Sequence, residues 1–193
     1  QRIVRLAFNH KGTRFASGGD GGIVNIWEMT ADGQMKLERQ LEGHNRIVYS
    51  VSFSADDSQL ATASYDGRIG LFSLTGEQKQ LLFEAHQGEL VSVSFDKSGK
   101  NLLSTSDRLI KLWDLDKQPP IGKTLATAND DLTWSSFSPD GTLVASGGRE
   151  MVVTVHASQS SSEPLRLTGH ESTVFKANFS PDSRQLATVS ADM

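Results

Sequence analysis

The chain contains no cysteine, which excludes a disulfide framework, a thiolate metal site and a cysteine nucleophile, while leaving open whether it works in cytosol or periplasm. It has no basic excess either. Against 19 Lys and Arg stand 23 Asp and Glu, for a formal net charge of −4, so no surplus positive charge is available to neutralise nucleic-acid phosphates or anionic lipid. Neither nucleic acid nor a membrane surface is an expected partner. No apolar run approaches the ~18 residues of a membrane-spanning helix, and the residues after Gln1 show no charged-then-apolar signal pattern; a leader, if there is one, lies outside this sequence. No segment shows strong 3.6-residue periodicity. What is present, 193 residues of which 37% are hydrophobic, suits one globular domain or two small ones.

The positive signal is repetition. FNHKGTRFASGG at 8–19 and FSPDGTLVASGG at 137–148 share seven of twelve residues, and they belong to five copies anchored on Phe8, Phe53, Phe95, Phe137 and Phe179 at spacings of 45, 42, 42 and 42. A fixed period of this length marks stacked supersecondary units, none of which buries its apolar faces alone. Each copy reads as strands. IVYSVSF at 47–53 alternates, with Ile47, Tyr49, Val51 and Phe53 on one side and Val48, Ser50 and Ser52 on the other. A turn follows, clearest in SPDG at 138–141 and written NHKG, SADD, DKSG and SPDS elsewhere. A strand of small residues comes next (FASGG, LATAS, LLSTS, VASGG, LATVS), then a hairpin such as Asp66-Gly67, then a third strand (IVNIWEM, RIGLFSL, LIKLWDL, MVVTVHA). Further segments such as KLERQLE at 36–42 and KQLLFEA at 79–85 lead to the next copy. The expectation is an all-β protein.

LEGH followed by LFSL, FEAH followed by LWDL, and a late LTGH together resemble the WD-repeat β-propellers, in which a Gly-His pair precedes the first strand and a Trp-Asp pair closes the third. The resemblance covers essentially the whole chain. It implies four-stranded antiparallel blades over about 1–42, 43–85, 86–127 and 128–168, with a half blade over 169–193, in one propeller segment whose ring is incomplete. The remaining blades then belong to a longer parent chain, the alternatives being a closed four-bladed ring with a loose half blade or an oligomer that completes the circle. Departures are Ala85-His86, Trp27-Glu28, Phe72-Ser73, Val155-His156, and Thr127-Ala128 in place of Gly-His.

The resemblance also implies a hydrogen-bonded tetrad running from His to a Ser or Thr, to the hairpin Asp and to the Trp. Carried over, it offers His44, Thr62 or Ser64, and Asp66 in the second repeat, where Phe72 cannot donate. The third offers His86, Ser104 or Ser106, Asp107 in a hairpin one residue short, and Trp113. The fifth keeps His170 and Asp192, and the first keeps only Trp27, with Asp20 one position early. Catalysis or metal binding would be the functional reading of these residues. Recurrence at the repeat period favours blade architecture, because a unique active site would not recur.

Other motifs fail. Gly122-Lys123-Thr124 has Lys117 where a phosphate loop needs glycine, and His170-Glu171 has Val174 where a zinc-protease helix needs its second His. SGGDGG at 17–22 lacks a carboxylate cluster, the Asn178-Phe179-Ser180 sequon ends a strand, and no G-x-S-x-G elbow occurs. No metal site and no cofactor are expected.

The resemblance points to a rim at the start of each first strand and just before the hairpin Asp. Register places there Ile47, Tyr49 and Tyr65; Glu89, Val91 and Ser106; Asp131, Thr133 and Arg149; Thr173 and Phe175; and Arg2, Val4 and Asp20. Tyrosines suit such a surface, joining apolar area to a polar tip. Against this, alternation sets Tyr49 and Phe175 on the same face as Val51 and Phe179, which suits packing between blades. The expected function is a non-enzymatic, cytoplasmic scaffold or sensor segment binding a protein or peptide. The alternative is a propeller enzyme or small-ligand binder with its site at the central channel.

Overall fold

The computed structural model describes residues 2–76, 79–160 and 162–192. Its strands form five antiparallel sheets. The first holds β1 (Ile3–Phe8), β2 (Arg14–Gly19), β3 (Val24–Met29) and β4 (Met35–Leu41), and the second β5 (Val48–Phe53), β6 (Gln59–Ser64), β7 (Arg68–Ser73) and β8 (Gln80–Glu84). The third holds β9 (Leu90–Phe95), β10 (Asn101–Ser106), β11 (Leu109–Asp114) and β12 (Ile121–Thr127). The fourth holds β13 (Leu132–Phe137), β14 (Leu143–Gly148), β15 (Val153–Ala157) and β16 (Leu165–Leu167), and the fifth β17 (Val174–Phe179) and β18 (Leu186–Ser190). Within each sheet, strands are neighbours in chain order, the all-β meander of a propeller blade. Residues 1–93 and 94–193 form two compact units. No helix is found among the described residues, so none is long and apolar enough to cross a membrane.

One turn chemistry joins the first two strands in every sheet. The first turn residue accepts, through its side chain, the backbone N–H five positions on: Asn9 from Arg14 and Ser54 from Gln59 at 2.9 Å, Asp96 from Asn101 at 3.1 Å, and Ser138 from Leu143 and Ser180 from Gln185 at 2.9 Å. That bond accounts for Asn, Ser or Asp at this position. The fourth residue takes a left-handed φ, which glycine supplies at 12, 99 and 141, while Asp57 (φ 61°) and Ser183 (φ 62°) adopt it with a side chain. Both use that side chain to reach the preceding turn. Asp57 accepts from His10 N and Lys11 N at 2.8 and 3.1 Å, and Ser183 Oγ accepts from Asp140 N at 3.1 Å.

The second strands of the first four sheets are almost wholly buried, and their small residues have steric causes. A Cβ on Gly19 would lie 2.0 Å from the Arg2 carbonyl oxygen, and one on Gly148 would lie 2.1 Å from that of Asp131. The repeated ASGG letters therefore leave room for backbone. In the second and fifth sheets serine fills the slot and uses the proximity, Ser64 Oγ donating to the Arg46 carbonyl at 3.2 Å and Ser190 Oγ to that of Ser172 at 3.0 Å.

The core lies between adjacent sheets. In the first unit, Ala16, Val24, Ile26 and Leu41 pack with Val48, Phe53, Leu60 and Phe72. In the second unit, Leu103 and Ile110 meet Leu132 and Val144, while Trp134, Ala145 and Val153 meet Val174 and Ala177.

Strict alternation along the first strand does not hold. Val48 faces Ser64 but Ser50 faces Ala63, which leaves Tyr49 as the extra residue of a β-bulge. Shifts at the same position leave Val4, Thr133 and Phe175 extra in the first, fourth and fifth sheets. The bulge resets the phase, so that Val48, rather than Ile47 or Tyr49, joins Val51 and Phe53 in the core, and Val174 and Ala177 join Phe179. Tyr49 and Phe175 are thus released from the face that alternation assigns to them, and Phe175 is 57% exposed.

Candidate functional site

Two families of polar side chains converge in these sheets. The first is internal. His44, 6% exposed, sets Nδ1 3.0 Å from Asp66 Oδ2 and Nε2 2.7 Å from Thr62 Oγ1. An acceptor-only carboxylate fixes the proton on Nδ1, leaving Nε2 to accept from the threonine hydroxyl. Burial, the largest influence, pushes the His44 imidazole below its ordinary value despite Asp66 beside it. Burial alone would raise Asp66, but the N–H groups of Asn45 and Arg68 together with His44 hold it below the usual carboxylate range. The arrangement leaves no room for a further group: a Cβ on Gly70 would sit 2.6 Å from Thr62 Oγ1 and 3.1 Å from His44 Nε2.

The fifth sheet repeats this geometry, with His170 Nδ1 2.8 Å from Asp192 Oδ2 and Nε2 2.7 Å from Thr188 Oγ1. In the first and third sheets, Trp27 Nε1 donates to Ser17 Oγ at 2.9 Å and Trp113 Nε1 to Ser104 Oγ at 2.8 Å. His86 is buried. Ser64 bonds locally instead, taking the N–H of Asp66 at 3.1 Å. Asp107, in the short β10–β11 turn at φ 44°, is exposed. Thr188 and Ser17 escape the sequence reading, although they stand in the register of Thr62 two residues after the hydrophobic start of the strand. Ser17 corrects the expectation that the first repeat keeps only its tryptophan. Among the described residues no group of three or more His, Asp or Glu is placed to hold a metal.

The second convergence lies at the rim of the first unit. The rings of Tyr49 and Tyr65 stack with centroids 5.0 Å apart and planes within 16°. Arg5 lies over the Tyr49 ring at 4.8 Å and Arg46 over the Tyr65 ring at 5.8 Å. Backbone bonds fix both guanidinium groups, Arg5 Nε donating to the Tyr49 carbonyl at 3.0 Å and Arg46 Nη1 to that of Tyr65 at 2.7 Å. Arg46 Nη2 also meets Glu89 Oε1 at 2.5 Å. Burial, then Tyr49 and Glu89, push the Tyr65 phenol up, so its O–H stays a donor at neutral pH. The four side chains together form a column of stacked groups. Its layers contribute little to stability, about 1 kcal/mol for each exposed cation–π or ring contact, and Glu89 and Arg46, about half exposed, add no more than ~1 kcal/mol.

The remaining rim positions differ. Ile47 and Val91 are half-buried. Ser106, 1% exposed, lies too deep to meet a partner at the rim. Thr133 spends its hydroxyl on the carbonyl oxygens of Val174 and Gly147 at 2.8 and 3.3 Å, so it ties β13 to β17. Arg149 and Asp131 pair at 3.5 Å, as do Arg2 and Asp20. Thr173, half-buried, accepts the N–H of Ala191 at 3.2 Å through its carbonyl. Sequence reasoning found the tyrosines but not Arg5 and Arg46. Arg46 follows Gly43-His44 closely enough to be suspected, whereas only the bulge brings Arg5 to Tyr49.

The family described as WD domain, G-beta repeat matches residues 1–28, 35–73, 77–114 and 162–193. The longest unmatched stretch, 115–161, holds the first three strands of the fourth repeat, which lacks both signature dipeptides and still builds a four-stranded sheet. Protein HIR1 of Mycosarcoma maydis is 29% identical over 203 positions, covering 93% of this chain and 20% of that protein. Protein ROOT INITIATION DEFECTIVE 3 of Arabidopsis thaliana is 29% identical over 83% of this chain and 39% of its own length, and the guanine nucleotide-binding protein subunit beta of Zea mays is 25% identical over 98% and 51%. The chain spans from about a fifth to about half the length of these relatives. With the repeat register, the His44 and His170 networks and the family match in agreement, this chain belongs to the WD domain, G-beta repeat family.

Proposed function

We propose that the chain is a protein-recognition segment of a larger scaffold, binding its partner through the rim centred on Tyr49 and Tyr65. One observation carries this reading: the Arg5–Tyr49–Tyr65–Arg46 column is partly exposed and dispensable for packing, because the bulge takes Tyr49 out of the core face. Rigid aromatic and arginine side chains that lose little freedom on binding are what a hot spot uses. The rim charges support binding over catalysis, since Arg2 with Asp20, Arg46 with Glu89 and Arg149 with Asp131 are matched locally instead of converging on one reacting centre.

The test is photo-crosslinking in cells, with p-benzoylphenylalanine placed in the natural full-length protein at position 65 or at Ala55, an exposed residue of the turn at the other end of β6. A protein adduct formed at 65 and not at 55 supports the rim. Adducts at 55 alone would overturn it.

A further inference from the structure

Resting on that reading, we propose that the segment docking on this rim is acidic and seats an Asp or Glu carboxylate on the outer edge of Arg5. Three surface arginines of the first unit have carboxylate partners: Arg2 has Asp20, Arg14 has Glu38 and Arg46 has Glu89. Arg5 is exposed, and among the described residues it faces no carboxylate within ion-pair distance. Its Nε is committed to the Tyr49 carbonyl at 3.0 Å and its plane lies over the Tyr49 ring at 4.8 Å. Those two contacts fix the guanidinium and rule out side-on pairing through Nε. The two terminal Nη groups are left as a fork with the spacing of a carboxylate's oxygens.

The column also disfavours other ligands. Tyr49 already stacks with Tyr65 and carries Arg5 over its ring, and Tyr65 carries Arg46 over its own. An incoming cation would compete with an arginine already over each ring and would meet the charge of Arg5. A doubly charged phosphoryl group would bring two negative charges to one unmatched cation with Glu89 at the far end of the column. A single carboxylate matches the single charge of Arg5, and the tyrosines set phenol groups and ring carbon beside it.

The experiment uses the natural full-length protein and a random nonapeptide library on beads, with phosphoserine included among the residues. The bound pool is sequenced for the wild type, Arg5→Gln, Arg5→Lys and the Tyr49→Ala/Tyr65→Ala double variant. The wild type should enrich Asp or Glu at one position, Arg5→Gln should lower affinity for a selected peptide by roughly tenfold or more, and Arg5→Lys should fall between them. Affinity should weaken as salt rises. Enrichment of Lys or Arg, stronger enrichment of phosphoserine than of Asp and Glu, or acidic enrichment that survives Arg5→Gln would overturn this inference while leaving the rim in place, provided that the double tyrosine variant loses selection. If the double variant selects the same peptides, or the wild type enriches none, the rim reading itself falls.

Discussion

The carboxylate of Asp57 accepts the backbone N–H of His10 at 2.8 Å, so that a turn of the second sheet holds the corresponding turn of the first. The same carboxylate takes Lys11 N at 3.1 Å and Asn9 Nδ2 at 3.0 Å, and it is 7% exposed. Asp57→Ala should cost roughly 2 to 4 kcal/mol, combining lost charge-assisted bonds with an alanine forced to positive φ. Asp57→Asn, which tolerates that φ and keeps an acceptor, should cost about half as much. Urea midpoints decide this, and an unchanged midpoint for the alanine variant would refute the clasp.

Acid should weaken the fold in two stages. Burial keeps His44 and His156 below their ordinary values, so as pH falls through about 6.5 the unfolded chain binds protons that the folded chain refuses, and stability drops. Asp57 and Asp66 are held below the usual range, and the Ser54 hydroxyl, with the N–H and hydroxyl of Ser58, holds Asp56 at about 2. Their contribution is intact above about 4 and declines below it. Midpoints measured from pH 8 to pH 3 should fall in both windows, with the upper step reduced in His44→Gln. A midpoint that rises between pH 7 and pH 5.5 would contradict the assignment.

The bulge makes neighbouring residues unequal. Val48, fully buried, should lose about 2 kcal/mol on truncation to alanine. Tyr49→Ala should lose no more than about 1 kcal/mol despite removing a larger side chain. Thermal or urea unfolding of the two single variants gives the comparison, and the reverse order would return Tyr49 to the core.

Gly148→Ala should be among the most damaging single changes, on the order of 3 kcal/mol or more, because the new methyl would meet the Asp131 carbonyl oxygen at 2.1 Å and backbone must move. Gly33→Ala, where nothing lies within 4 Å, should lose only about 1 kcal/mol through its positive φ. Equal losses would show that conformational freedom, rather than space, keeps glycine at 148.

The sheets were legible because their signals are local and repeated. Five turns with the same first-residue chemistry and five strands of small residues, four of them buried, report themselves at a fixed period, and the fourth repeat folds the same way after losing both dipeptides. Thr62 and Thr188 were within reach of the same register argument. The phase of the first strand was not, since a bulge changes which side chain faces the core without changing any letter of the pattern. For Tyr49 and Phe175 that reverses the burial read from alternation, and it brings Arg5, 44 positions away in sequence, onto a tyrosine. Pairings of that kind arise from tertiary contact between blades and have no signature within one repeat.

The unpaired residue at the same place in four sheets separates two demands that a repeat protein must meet at once. Ladder positions are constrained by their neighbours on both sides and tolerate few substitutions. Val4, Tyr49, Thr133 and Phe175 stand outside the ladder, and no two of them are alike. In these four sheets the side chain at that position can therefore vary without disturbing the pairing beneath it, and Thr133 uses the freedom to tie β13 to β17 while Phe175 turns outward.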